Sequence, residues 1–259
     1  EDRMISSHEL DSILGKMPEL QGVGTGFERM DKILRNVEPG ELIIVTGPSG
    51  EGKTTLMMSI TQNMAKTGYK SAWFTLEVTP RQFLYKIKKG GELPLFYVPA
   101  RNTDNTIKWI EERIIEAKVK YNVQAVFIDH IHQIFSLDKF SKSISLEIGD
   151  LVAKIKDIAL QNHITIFLVA HSKDNSQNPN AEPRKEDIRD SGLILRLADT
   201  VIGVWRIKNG EGEKNRRPSA LDETDIEAKV RIMKNRREGT LGTFVVQWEN
   251  HTLKQAPDF

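Results

Sequence analysis

An α/β fold built on a mainly parallel, twisted sheet follows from three features of this sequence. Apolar, β-branched runs of strand length occupy residues 42–46, 70–76, 124–128 and 164–169. Segments with helical apolar spacing separate them, and connections of that length make right-handed crossovers between parallel strands, with helices on the flanks. After residue 198 the helical segments give way to three strand-like runs, DTVIGVWRI, AKVRIMKN and GTFVVQWEN, joined by polar, Gly-bearing links. These read as antiparallel strands added to the same sheet.

Residues 1–20 read as an N-terminal linker helix, because HELDSILGKM has amphipathic spacing and Pro18 breaks it. Residues 21–259 read as one domain. QGVGTGFERMDKILRNVEPG holds a turn-rich entry, a short helix at Glu28–Leu34 and the Pro39–Gly40 turn. ELIIVTG is then a buried strand, and TTLMMSITQNMAKTG a helix over 53–66 that stops at Gly68. KSAWFTL is the next strand, and Pro80 suits the first turn of the helix after it. A short strand is predicted at 95–98. NTDNTIKWIEERIIEAKVKY is a strongly amphipathic helix, with Thr103 or Asp104 as its cap. The strand at 124–128, a helix at 145–161 and the strand at 164–169 complete the parallel part. The stretches 171–190 and 208–222 are rich in Asn, Pro, Glu, Lys and Arg, and loops that long are usually functional or disordered.

The sharpest chemical signal is GPSGEGKT at 47–54, which fills every fixed position of G-x-x-x-x-G-K-[ST] between a strand and a helix. Gly47, Gly50 and Gly52 let backbone N–H groups curl around phosphate oxygens, with Pro48, Ser49 and Glu51 completing the loop. The helix N-terminus, where Thr55 follows the motif, adds its positive dipole end. Lys53 is placed to reach the β- and γ-phosphates and the Thr54 hydroxyl to ligate Mg²⁺. The segment therefore predicts a site for ATP or another NTP with Mg²⁺.

Three further strands end in polar residues. QAVFIDH ends in Asp129, an acid that can hold Mg²⁺ beside a phosphate loop. WFTLEVT puts Glu77 at the end of the strand after the phosphate-loop helix. There it either orients and deprotonates an attacking water or is simply an exposed polar end. IFLVAHS ends at His171, which either bonds the γ-phosphate or is structural. His130 and His132 follow Asp129 as supporting or substrate contacts. One carboxylate with nearby imidazoles is a poor sequence pattern for zinc. RIMKNRREGTLG carries Lys234, Arg236 and Arg237 in a basic turn, either solvated or reaching a neighbouring subunit's γ-phosphate.

Composition narrows the class. The chain has 259 residues, 39% hydrophobic and 28% charged, the balance of a globular protein. It has no Cys, so neither a disulfide framework nor a thiolate metal site is available. A formal charge of +1 argues against a broad nucleic-acid-coating surface but leaves room for a local basic strip. No long apolar run or signal-peptide pattern is visible, so a soluble, intracellular chain with no membrane partner is expected. Residue 1 is not Met, which points to a processed or excised chain.

Together these segments resemble the RecA-like ATPase domain of hexameric replicative helicases, the group of bacterial DnaB, the phage primase–helicases and mitochondrial Twinkle. The resemblance runs over about 22–254. It is carried by GVGTGFERMDKIL, GPSGEGKTT, WFTLEVTPRQ, VFIDHIHQI, LVAHSKDN, DIRDSGLILRLADTVIGVWR and RIMKNRREGTLGTF, of which the DIRDSG and KNR segments are the most family-specific. It implies an ATP-hydrolysing DNA helicase motor of RecA-like fold that moves 5′→3′ on single-stranded DNA in a homo-hexameric ring, with primase or a helicase loader as further partners. Glu77 then matches the catalytic base, Asp129 the Mg²⁺ acid and His171 the γ-phosphate sensor. Arg236 matches an arginine finger given in trans, with Lys234 beside it. The loops after Asp129 and His171 match those lining the channel, where Lys139, Lys142, Lys173, Arg184, Lys185 and Arg189 are candidate strand contacts. Such contacts are electrostatic and largely blind to sequence.

No primase, zinc-binding or helical-collar region precedes residue 21, so the resemblance covers the motor half alone. The linker helix is expected to dock on an adjacent subunit, and no role is assigned to 208–219. A cytoplasmic setting in a bacterium or a phage-infected cell is expected, with the mitochondrion left open. Two other classes share the phosphate loop. A RecA/RadA-like recombinase or KaiC-like ATPase differs at DIRDSG and the basic turn. A regulatory, nucleotide-gated binding module needs neither Glu77 nor Arg236.

Overall fold

Every residue of the first strand is buried, as a strand covered by helices on both faces requires. The computed structural model describes residues 3–16, 22–101, 104–134, 144–172, 182, 184–188, 191–207 and 227–256. Helix α1 (Ser7–Leu14) comes first, capped by the Ser6 side chain, and then α2 (Glu28–Leu34). Next are β1 (Leu42–Gly47), α3 (Lys53–Lys66), β2 (Ser71–Thr75), α4 (Pro80–Lys89), β3 (Phe96–Tyr97) and α5 (Ile107–Tyr121). Then follow β4 (Ala125–Asp129), α6 (Ile144–Asn162), β5 (Thr165–His171), α7 (Ser191–Leu197) and β6 (Thr200–Arg206). Strands β7 (Glu227–Asn235), β8 (Gly242–Glu249) and β9 (Thr252–Gln255) close the order.

The nine strands form one mixed sheet in the order β3-β2-β4-β5-β1-β6-β7-β8-β9. From β3 to β6 all pairings are parallel, and from β6 to β9 all are antiparallel. The parallel, helix-flanked part and its antiparallel extension are those expected from the sequence.

Some details differ from the sequence reading. The cap of α5 is Thr106, whose hydroxyl accepts from Trp109 N–H; Asp104 instead accepts from Thr106. Helix α7 and strand β9 were not anticipated. Both are short, and their apolar positions make sense only against distant partners. Glu77 is not on a strand end, because β2 stops at Thr75 and Glu77 sits on the bend two residues later.

Packing sets the spacing of the site. Trp73, Phe127 and Phe167 lie in register on β2, β4 and β5. Their rings stack at 4.9 and 4.8 Å, and Phe83 of α4 closes on Trp73 at 4.6 Å. Each such pair adds about 0.5–1.5 kcal/mol beyond burial. The Trp73 indole N–H, which burial would otherwise strand, donates to Thr61 of α3 at 2.9 Å. This ladder clamps three strands whose ends carry polar residues. Helix α1 buries nothing and leaves Leu10, Ile13 and Leu14 exposed. Among the described residues no helix is long and apolar enough to cross a membrane.

Candidate nucleotide site

The phosphate loop joins β1 to α3, as the motif requires. Gly47 has φ 147° and Gly52 has φ 106°, a region costly for any residue with a Cβ. A Cβ on Gly47 would stand 2.1 Å from the Val204 carbonyl oxygen, and one on Gly52 2.7 Å from the Trp248 ring. The loop is therefore pressed against β6 and β8. Glu51 ties it further by accepting from the Arg206 N–H at 2.7 Å, and the Arg206 guanidinium lies 4.8 Å from the Trp248 ring. Sequence reasoning missed Arg206 and Trp248, because no local signal links them to loop partners 155 or more residues away.

Lys53, at the first position of α3, is buried and donates to the carbonyls of Gly47 and Pro48 at 2.9 and 2.7 Å. Thr54 of α3 donates to Asp129 Oδ2 at 2.7 Å, so these two side chains meet although β5 separates β4 from β1, the strand that leads into the loop. Burial pushes the Asp129 carboxyl up and the Glu77 charge adds to this, while the Thr54 hydrogen bond and Lys53 oppose it. A hydroxyl and a carboxylate converging beside a cationic loop are the hard oxygen donors that Mg²⁺ prefers.

Gly47 lies opposite His171 in the β1–β5 register, and Thr75 opposite Asp129 in the β2–β4 register. Asp129, His171 and the Glu77 bend thus meet at the phosphate-loop end of the sheet. The His130 ring stands 4.3 Å from that of His171, and His130 Nε2 is 3.9 Å from Glu77 Oε2. Burial lowers the His130 pKa, against the raising effect of Glu77. His132 packs 5.6 Å from His130.

The basic turn lies elsewhere. Lys234 donates to the carbonyls of Leu195 and Ala198 at 2.5 and 2.6 Å, and Arg236 pairs with Asp199 at 3.1 Å. Burial lowers the Lys234 pKa, with Arg236 adding to the effect. The Asp199 N–H donates to the Leu42 carbonyl, at the start of β1, whereas the phosphate loop begins at its end. Five residues of strand, roughly 17 Å at about 3.3 Å each, separate the two ends. Arg236 and Lys234 cannot reach the phosphate loop of their own subunit. Arg237 is tied to the carbonyls of Leu34 and Asn36 and to Glu38, a bracing role.

Of the candidate strand contacts, Arg184 and Lys185 are exposed on a turn that returns through Ile188 to bridge Ser172, just past β5. Lys139, Lys142, Lys173 and Arg189 lie outside the described residues, as does the 208–219 stretch.

Comparison with known proteins bears on the fold and the family. The Replicative DNA helicase DnaC of Bacillus subtilis is 22% identical over 235 residues, covering 79% of this chain and 52% of its own length. A solved DnaB-like replicative helicase, described with its interactions with primase, superposes with a TM-score of 0.74 at 15% identity, covering 98% of this chain and 67% of that one. A KaiC-like protein from Pyrococcus horikoshii superposes with a TM-score of 0.65 at 18% identity, covering 92% of this chain and all of its own. The fold is therefore RecA-like. The chain spans about half the length of the curated relatives it matches. The profile of the DnaB-like helicase C-terminal domain family matches residues 22–89 and 87–256, and the chain belongs to that family.

Proposed function

We propose that this chain is the ATP-driven motor of a ring-forming replicative DNA helicase, hydrolysing ATP between subunits to move 5′→3′ along single-stranded DNA. The observation that carries this reading is the separation of Arg236 from its own phosphate loop. Every other group that phosphoryl transfer needs is gathered at one end of the sheet, and the positive finger stands at the other. A site so divided is completed by a second copy.

In this reading Lys53 leaves the Gly47 and Pro48 carbonyls for the β- and γ-phosphates, and the loop's N–H groups hold the phosphate oxygens. Thr54 and Asp129 hold Mg²⁺, which when bound neutralises phosphate charge. Glu77, half exposed beside the γ-phosphate position, orients a water and takes its proton. His171 senses the γ-phosphate from the end of β5. Arg236 of the adjacent subunit, with Lys234 near it, stabilises the charge that develops. Loss of the γ-phosphate then shifts the loops after Asp129 and His171, with Arg184 and Lys185 among their contacts to the strand. The exposed apolar face of α1, with Leu10, Ile13 and Leu14, suits docking on the neighbouring subunit as a linker helix. Primase or a loader as partner, and an intracellular setting that supplies ATP and Mg²⁺, follow from the same reading.

The test is the ATPase rate with and without single-stranded DNA, with oligomeric state and unwinding of a forked duplex measured on the same protein. DNA-stimulated turnover by a hexamer that unwinds supports the motor. Strand exchange without unwinding would favour a recombinase. Nucleotide binding with negligible turnover on DNA would favour a regulatory module.

A further inference from the structure

Glu77, His130 and His171 come from three different segments, the bend after β2, the residue after β4 and the last residue of β5. Each offers one ligand atom that lies within 4.8 Å of the other two. Two imidazoles and one carboxylate are the donor set of many catalytic zinc sites, with a fourth position left for water. It is a poor set for Mg²⁺, which takes oxygen donors. His130 presents Nε2 to Glu77 Oε2 at 3.9 Å, and its other ring nitrogen, Nδ1, is buried with no hydrogen-bond partner.

From this cluster we infer that the chain carries a second cation site, made of Glu77, His130 and His171, for a borderline divalent transition ion such as Zn²⁺. It is distinct from the oxygen site of Thr54 and Asp129. Zinc bonds of about 2.0–2.1 Å set tetrahedral ligands roughly 3.4 Å apart, so donor atoms that lie within 4.8 Å of one another must draw closer. On the Glu77 side, where the carboxylate stands 3.9 Å from His130 Nε2, a side chain 53% exposed on a bend rather than fixed in a strand can move inward. His130 and His171 are held by β4 and β5, whose stacked aromatic pair, Phe127 on Phe167, fixes their separation.

The site has a regulatory consequence that rests on the reading of Glu77 as base. A carboxylate bound to Zn²⁺ cannot also take a proton from water, so occupation at this position blocks hydrolysis while leaving the phosphate loop free to bind nucleotide. Zinc thereby acts as a brake on the motor, and a chelator releases it.

The experiment is a titration of the metal-stripped, nucleotide-free chain with Co²⁺ as a spectroscopic substitute, followed by displacement with Zn²⁺. One equivalent should give a visible d–d band of N/O coordination that Zn²⁺ bleaches; the chain has no Cys to produce such a band by thiolate. His130→Asn, His171→Asn and Glu77→Gln should each weaken binding by at least about the 10–100-fold that loss of even a supporting partner costs. Thr54→Ala should leave the band unchanged. Nucleotide binding by each variant checks that it is folded, and Glu77→Gln, on an exposed bend, guards against a histidine variant that is not. No band, or a band that all three variants retain, would overturn the site. ATPase rates in excess Mg²⁺, with and without Zn²⁺, form the second arm. Inhibition that is lost in His130→Asn, read as the ratio of the two rates, supports the brake. A cluster-dependent band without any inhibition would leave the site standing and overturn the reading of Glu77 as base.

Discussion

Arg236 donates to Asp199 Oδ1 at 3.1 Å, while the other oxygen of that buried carboxylate is held by Lys156 at 2.6 Å and by the Leu42 N–H at 2.8 Å. Asp199 is thus neutralised without Arg236, whose side chain is 48% exposed. An ion pair with so exposed a partner is worth about 0–1 kcal/mol. A finger in trans is worth about 10³–10⁵ in rate, or roughly 4–7 kcal/mol. If Arg236 acts as the proposed finger, leaving Asp199 and the Arg196 carbonyl, to which it also donates, would cost less than insertion into a neighbour's site would return.

Replacing Arg236 by Ala is expected to cut DNA-stimulated turnover by about 10³–10⁵ while leaving nucleotide binding and melting temperature close to the parent. The decisive measurement mixes Arg236→Ala with Lys53→Ala subunits. A finger acting in trans restores part of the activity, because some interfaces then join an intact phosphate loop to an intact Arg236. Mixed rings as inactive as either parent would count against it.

For Glu77→Gln the expected outcome is a loss of hydrolysis of about 10²–10⁴ with nucleotide affinity retained. Single-turnover kinetics with bound ATP separates the two steps. A variant with parental turnover would assign the base to another residue.

The Asp129 carboxyl gives a pH dependence whose sign is set by burial. Because its pKa in the fold is raised above the ordinary aspartate value of about 3.9, its contribution to stability is present below that value and is lost as pH rises through the raised one. Mg²⁺ needs the ionised form, so stabilisation by Mg²⁺ and ATP should be small at the acid end and grow as pH rises. Thr54→Val removes both the proposed hydroxyl ligand and a hydrogen bond that lowers the pKa, and should make this rise smaller and move it to higher pH. Thermal shifts with and without Mg²⁺ across the acid range would show it; a pH-independent shift would contradict the assignment.

Trp248→Ala should destabilise the fold by about 3–5 kcal/mol, the usual cost of emptying a large aromatic site. It should also weaken nucleotide binding, because Trp248 backs Gly52 and carries the Arg206 guanidinium. Denaturant unfolding and nucleotide titration on the same variant measure both. Stability lost with affinity unchanged would show that the loop holds its shape without this brace.

Whatever is encoded over short distances was legible in the residues. Hydrophobic runs and helical spacing marked the parallel strands and the longer helices, since each pattern records which side of a local element faces the core. The phosphate loop was legible because its geometry depends on eight consecutive residues. Asp129 and His171 were legible because a polar residue closing an apolar strand stands out within that strand. The rest depends on how distant segments pack. Helix α7 and strand β9 were invisible because their apolar positions have meaning only against distant partners. The register of β2, β4, β5 and β1 brought Glu77 and His130 to His171, and Thr54 to Asp129, contacts between residues up to 94 positions apart. The antiparallel strands laid Trp248 and Arg206 behind the loop and left Arg236 at the far end of β1. The physical reason is the same in each case. Periodicity reports the neighbours of a residue along the chain, whereas strand order and register choose its neighbours in space.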